Sequence, residues 1–228
     1  MISINKNDAG QYEIKNAHYR CILDPAKGGT CRSLKYGTWD TGLIREGCEY
    51  WINKQEHFEQ EFGGVVDFKI TGKGKNVLSI LVVAEIVSPQ RARENLDASG
   101  GIAYTRWWFD GTPIIKTKSI IKPTLNALFC DKYLCFEPDK YTNYSKDGKE
   151  LSEICKPKND HIDRLWWIKE LPRTWNKTLL FAGNKKFQIC HTSDVKYPVL
   201  YRSCSMLEYK PEWTDGGMES MTWSFGAV

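Results

Sequence analysis

Residues 104–122 read YTRWWFDGTPIIKTKSIIK, a stretch that makes sense as two strands and a forced turn. Up to Asp110 the side chains alternate, with Tyr104, Arg106 and Trp108 on one side and Ala103, Thr105, Trp107 and Phe109 on the other. That is the period of two that defines a pleated strand. After Pro113 the run Ile114 to Ile121 is dense in β-branched residues, which pack well on a sheet. Asp110-Gly111-Thr112-Pro113 supplies the turn, because glycine tolerates positive φ and proline has its φ already fixed. The segment therefore predicts a central hairpin. A strand that served only the core would have no use for Arg106 between two aromatic residues.

Outward from the hairpin the strands continue in both directions. Upstream, Val77 to Val87 is a long β-branched run preceded by a Gly72 to Asn76 turn and a strand from Val65 to Thr71. Between it and the hairpin, Ser88 to Gly101 is the one segment that suits a short helix or loop. Downstream, Leu128 to Phe136, Arg164 to Lys169, Thr178 to Ala182, Lys186 to Thr192, Val199 to Ser203 and Ser205 to Tyr209 all read as strands. Asp139 to Asp160, rich in Lys, Asn, Asp and Gly, reads as a long exposed excursion. At the start of the chain, Gln11 to Lys15, Tyr19 to Leu23 and Thr30 to Tyr36 are strands, the last two joined by the turn Asp24-Pro25-Ala26-Lys27-Gly28-Gly29. With no internal repeat, low-complexity tract or linker, residues 1–228 are expected to form a single all-β domain, a large antiparallel β-sandwich.

The opening strand, Asp-Pro, Gly-Gly, strand pattern, the Gly111-Thr112-Pro113 corner and the closing run Gly217 to Phe225 together resemble the galactose-mutarotase-like β-sandwiches. These "supersandwich" domains occur in aldose epimerases, polysaccharide lyases and glycoside hydrolases. The resemblance implies a supersandwich fold and a saccharide ligand or substrate. It does not choose a reaction, because none of the three places is an active-site signature.

Composition narrows the classes of partner. The chain of 228 residues has a formal net charge of +4, with Lys and Asp/Glu interspersed, which favours acidic small ligands or polysaccharides and does not point to nucleic acid. It has no apolar run long enough for a membrane-spanning helix and no signal-peptide pattern, so as written it is expected in the cytoplasm, or secreted or periplasmic if a signal peptide was removed. Nine Trp, eleven Tyr and nine Phe exceed what a core requires and suggest an aromatic sugar platform. The eight cysteines contain no C-x-x-C pair and several fall on apolar strands, so they read as free buried thiols. Neither a metal nor another cofactor is expected, since the His and Glu spacings are not those of a metal site.

Chemistry-bearing residues cluster in Trp51 to Gly64. If this stretch is extended, His57, Glu59 and Glu61 share one face while Phe58 and Phe62 anchor the other. A histidine beside carboxylates can pass protons in either direction. Gly63-Gly64 suggests a close backbone approach. His161, just before Trp166-Trp167, is a further acid/base candidate. Arg106 is the expected ligand cation, with Tyr104 beside it and Trp107, Trp108, Trp166 and Glu61 as binding residues. In a polysaccharide lyase, Arg106 or a His would neutralise a uronate carboxylate, and Tyr104 or a His would take the proton alpha to it. In an aldose epimerase, a His would protonate the ring oxygen and a carboxylate would deprotonate the anomeric hydroxyl. Gln55 stands where the epimerase Asn-x-His pattern would have Asn, so the lyase reading comes first, with the epimerase and a non-catalytic binding or structural module as alternatives. For any of these the Tyr104 face is expected to look onto the Trp51–Gly64 strip.

Overall fold

A computed structural model of the chain describes residues 1–53, 55–146, 150–154, 166–167, 177–191, 197–202, 205–213 and 220–228. Among these, the strands are β1 (Ser3–Lys6), β2 (Tyr12–Lys15), β3 (Arg20–Asp24), β4 (Thr30–Tyr36), β5 (Trp39–Asp40), β6 (Leu43–Trp51), β7 (His57–Glu59), β8 (Val65–Lys73), β9 (Val77–Val87) and β10 (Ser99–Asp110). They continue as β11 (Ile114–Pro123), β12 (Phe129–Phe136), β13 (Asn143–Lys146), β14 (Glu150–Glu153), β15 (Trp166–Trp167), β16 (Lys177–Ala182), β17 (Lys185–His191), β18 (Tyr197–Arg202), β19 (Leu207–Trp213) and β20 (Ser220–Ala227). Among the described residues a single short α-helix, α1 (Pro89–Arg93), begins at Ser88, whose side chain caps it by accepting from the Arg91 N–H. The chain is all-β, and every pairing among the described residues is antiparallel.

The ladders build two layers. One runs β8-β9-β10-β11-β20-β17-β16-β13-β14. The other runs β1-β2-β3-β4-β6-β12-β19-β18-β15. β7 pairs with β6 on one side and with β9 on the other, so the two layers are one sheet folded over itself. The predicted hairpin is β10-β11, in the register Arg106 opposite Lys118, and it lies inside the first layer between β9 and β20.

Alternation decides what each layer buries. Ile80, Val82, Ala84, Trp107, Phe109, Ile115 and Phe225 of the first layer face Cys21, Leu23, Leu34, Leu134 and Phe136 of the second. Trp107, expected at a binding surface, is fully buried and belongs to this core, where it stacks on Phe109. Between the layers sits a charged pair: Lys132 Nζ lies 2.5 Å from Glu46 Oε1 and 2.6 Å from Thr117 Oγ1, with no solvent exposure at the lysine. Cys21, Cys31, Cys48 and Cys130 are buried free thiols, and Cys21 and Cys31 touch with their sulfurs 3.4 Å apart. Cys155 and Cys204 lie outside the described residues.

Two expectations change. The polar segment from Asp139 is not a solvent excursion throughout: β13 and β14 form a hairpin on β16, and Tyr141, Tyr144 and Ile154 are buried in the core. Three inward apolar side chains among many polar ones suffice to seat it. Leu43–Trp51, for which no strand was expected, is β6, at the centre of the second layer. Its outward residues are covered as well as its inward ones, so it lacks the alternation that marks a half-exposed strand. Among the described residues no helix is long and apolar enough to cross a membrane.

Candidate active site

The outer face of the second layer collects acids at one level. Register places Glu59 of β7 opposite Glu49 of β6, Glu49 opposite Asp131 of β12, and Asp131 opposite Glu212 of β19. Glu59, Glu49 and Asp131 on β7, β6 and β12 therefore place carboxylic side chains in one transverse row. Glu49, Glu59 and Asp131 are all buried, the last completely. Like charges directly opposite one another destabilise a sheet, and a buried carboxylate is costly unless it is compensated. Such a row is hard to explain as a solvated surface.

Compensation comes from the neighbouring level. Arg45 of β6 places Nη1 3.2 Å from Glu59 Oε2 and 2.5 Å from Glu61 Oε2, while Arg32 of β4 places Nη1 2.7 Å from Glu61 Oε1. The Arg45 guanidinium lies over the Tyr133 ring, 4.9 Å from its centroid, and donates to Cys135 Sγ. Burial opposes the charge on Arg45, but Cys135, Tyr133, Glu59 and Glu61 outweigh it and raise its pKa further. The Tyr133 phenol is pushed well above its ordinary value by burial and then by Glu59. It does not ionise at any physiological pH.

On the other side of the row, His57 Nε2 is 2.7 Å from Glu59 Oε1, and the imidazole stacks on the Trp51 indole with centroids 4.6 Å apart. Trp51 Nε1 donates to Glu49 Oε1 at 2.9 Å. Glu49, His57 and Glu59 thus bring three polar termini within 4.8 Å of one another. Those atoms are of metal-ligand type, but the Arg45 guanidinium already supplies positive charge to Glu59. His57 and Glu59 open into a cleft of about 570 Å³, walled by Arg45, Phe62, Val87, Pro89, Ala92 and Arg93. That volume is within the range for small-molecule sites.

The strand ends at Glu59, and a 3₁₀ turn over Gln60–Phe62 follows. Phe62 is therefore turned out to the cleft wall instead of anchoring the strand beside the buried Phe58. Glu61 still faces the same way as Glu59, but it is committed to the two arginines. Gly63 closes the turn where a Cβ would stand 1.9 Å from the Glu85 carbonyl oxygen, whereas Gly64 has room. The close approach thus belongs to one glycine of the pair.

Burial raises the Glu61 carboxyl, but hydrogen bonds and charge from Arg45 and Arg32 overcome this and hold it below its ordinary value of 4.5. A depressed folded pKa means that this stabilisation is complete above the unfolded value and is lost as pH falls through and below it. The wild type should accordingly lose stability on acidification below about pH 5 more steeply than Glu61→Gln. Urea-denaturation midpoints measured across the acid range check this; parallel curves would remove Glu61 from the acid-sensitive network.

Tyr104, Arg106 and Trp108 are elsewhere. They stand on the outer face of the first layer, in a groove that shares no residue with the His57 cleft. The expected face-to-face arrangement is corrected: both strips point outward from a folded-over sheet, so they cannot look onto each other. Trp166 is placed by its backbone opposite Arg202, on β15 at the end of the second layer. His161 lies outside the described residues. Arg45, Glu49, Asp131 and Tyr133 were not anticipated, because their strands had to be aligned before their charges could be seen as a set.

Solved structures share this architecture. The crystal structure of galactose 1-epimerase from Lactobacillus acidophilus NCFM superposes with a TM-score of 0.58 at 10% identity, over 100% of this chain and 98% of that one. This is the galactose-mutarotase-like fold. A galactose mutarotase-like protein from Clostridium acetobutylicum matches with a TM-score of 0.52 at 10% identity, over 100% of this chain and 98% of that one. An alpha-mannosidase from Enterococcus faecalis V583 gives 0.62 at 7% identity, over 95% of this chain but 29% of its own. No protein-family model and no curated protein matches the sequence. The supersandwich resemblance drawn from three stretches of sequence therefore holds at the level of fold.

Proposed function

We propose that the chain acts on a saccharide by acid/base chemistry of the sugar-epimerase type, in the His57 cleft. The observation that carries this is the convergence of His57, Glu49 and Glu59 within 4.8 Å. Ring opening of an aldose needs an acid at the ring oxygen and a base at the anomeric hydroxyl. Those two oxygens share one carbon, so acid and base must lie within a few ångströms of each other. The hydrogen bond between Nε2 and Glu59 Oε1 fixes the orientation of the imidazole. His57 is then the acid toward the ring oxygen, Glu59 the positioning residue, and Glu49, which lies behind the cleft lining, the base that takes the anomeric proton through one bridging water. Phe62, half exposed on the cleft wall, offers an apolar face to a pyranose.

The fold of the epimerases and mutarotase-like proteins supports the same reading. Nothing comparable supports the lyase reading that joins the histidine to Arg106 and Tyr104, since these stand in separate clefts. The direct test follows interconversion of freshly dissolved α-aldoses by polarimetry, with buffer catalysis subtracted, on a panel that includes glucose, galactose, mannose and xylose. Saturable acceleration of at least one sugar is expected. Rates equal to buffer across the panel would overturn the proposal.

A further inference from the structure

The outer face of β10 remains unexplained by that chemistry. Tyr104, Arg106 and Trp108 stand on it and, with Lys118 and Lys122 of β11, line a groove of about 480 Å³ whose apolar floor is Leu81 and Ile120. Arg106 lies directly opposite Lys118, Tyr104 opposite Ile120, and Ile102 opposite Lys122. The arginine is thus flanked along its own strand by a phenol and an indole, each roughly 7 Å away. Its guanidinium is 5.9 Å from the Trp108 ring centre, and Lys122 Nζ is 5.0 Å from that of Tyr104.

The charges are unbalanced here in a way they are not next door. Lys69 pairs with Asp67 at 2.5 Å and Lys116 lies 3.6 Å from Asp110. Among the described residues Arg106, Lys118 and Lys122 have no carboxylate within salt-bridge distance. Arg106 and Lys118 are like charges set directly across an antiparallel pair, an arrangement that repels. It sits in the middle of a sheet, not on an edge strand where lysine would serve to block pairing. A ligand that supplies the missing anions relieves the repulsion, and the half-buried rings of Tyr104 and Trp108 add flat apolar faces between the cations.

We propose that this groove binds an anionic polysaccharide, with carboxylate or sulfate groups on Arg106, Lys118 and Lys122 and sugar rings on Trp108 and Tyr104. The site is separate from the His57 cleft and does not depend on its chemistry. A nucleic acid fits less well, because Asp67, Glu85 and Asp110 border the same face and the chain as a whole carries only +4, where a phosphate backbone calls for a continuous basic track.

Isothermal titration with an oligogalacturonate, a heparin oligosaccharide, a neutral cello-oligosaccharide and single-stranded oligothymidylate tests this. At least one of the first two should bind in a salt-dependent manner, and which one does separates carboxylate from sulfate recognition. Arg106→Ala and Lys118→Ala should each weaken that binding by about tenfold or more, Trp108→Ala should weaken it at constant salt dependence, and His57→Ala should leave it unchanged. All four positions lie at the surface or in the other cleft, and circular dichroism and thermal melts confirm that each variant is folded. Tighter binding of the oligothymidylate through the same residues, equal binding of the neutral sugar, indifference to Arg106→Ala and Lys118→Ala, or no binding of either anionic saccharide would each overturn the proposal.

Discussion

Replacing His57 with alanine should lower kcat/KM for anomer interconversion by about a hundredfold to ten-thousandfold, the usual reach of one general acid/base. At 1.36 kcal/mol per decade this is about 3 to 5 kcal/mol of transition-state stabilisation. The loss should fall mainly on kcat, since the imidazole acts on a proton in flight more than on the bound ground state. Glu59→Gln has a different signature. The amide keeps the shape and can still hydrogen-bond the ring, but it loses the charge that favours the imidazolium, and Arg45 keeps only Glu61 as a charged partner. Its effect should be smaller on kcat and should come with a displaced pH optimum, which a merely structural role would not produce. Glu49→Gln removes the proposed base and should approach the His57 variant. If all three variants retain wild-type kcat/KM while an accelerated rate persists, the chemistry lies elsewhere on the molecule.

How much of this could be read from the chain depends on where each signal is stored. The β10-β11 hairpin was legible because one of its faces is buried and the other open, so burial and sequence share the period of two. β6 was not. Its outer face carries Arg45, held by Glu59 of β7 and Glu61 of the 3₁₀ turn, and Glu49, while its inner face holds Glu46, paired to Lys132, so charge appears on both sides and the alternation vanishes. The buried hairpin at Tyr144 was obscured by its polar neighbours.

The site was half legible for a related reason. His57 and Glu59 are two residues apart on one strand, and period-two reasoning puts them together. Glu49 could have been added by treating 51–57 as a tight connection, since Glu49 and Glu59 are then equidistant from its centre. Asp131 comes from a strand far along the chain, and only the β6-β12 register brings it into the row. The Tyr104 face was read correctly as a surface but paired with the wrong strip, because alternation tells which residues share a face and not which layer that face belongs to.

The same buried pair that obscured β6 gives the largest expected effect on stability. Lys132 and Glu46 are fully enclosed between the layers, and the ammonium is shared by Glu46, Thr117 and the Trp223 ring 4.9 Å away. Lys132→Met leaves the Glu46 carboxylate buried without its counter-ion, and Glu46→Gln leaves the ammonium in the same position. Either single change should cost about 3 to 5 kcal/mol, which is a large share of the 5 to 15 kcal/mol typical of a whole domain. Denaturation midpoints by urea should fall accordingly. The double variant Lys132→Met with Glu46→Leu should recover most of the loss, because it removes the desolvated charges together and fills the space with apolar volume. What it should not recover is the tie from Lys132 of β12 to Thr117 of β11 and the Trp223 ring of β20 in the other layer. A double variant that is stable but shows broadened amide resonances along β11 and β12 would identify the pair as a device for layer registry. If the single changes prove nearly neutral, the pair is solvated in solution and the two layers are held by apolar packing alone.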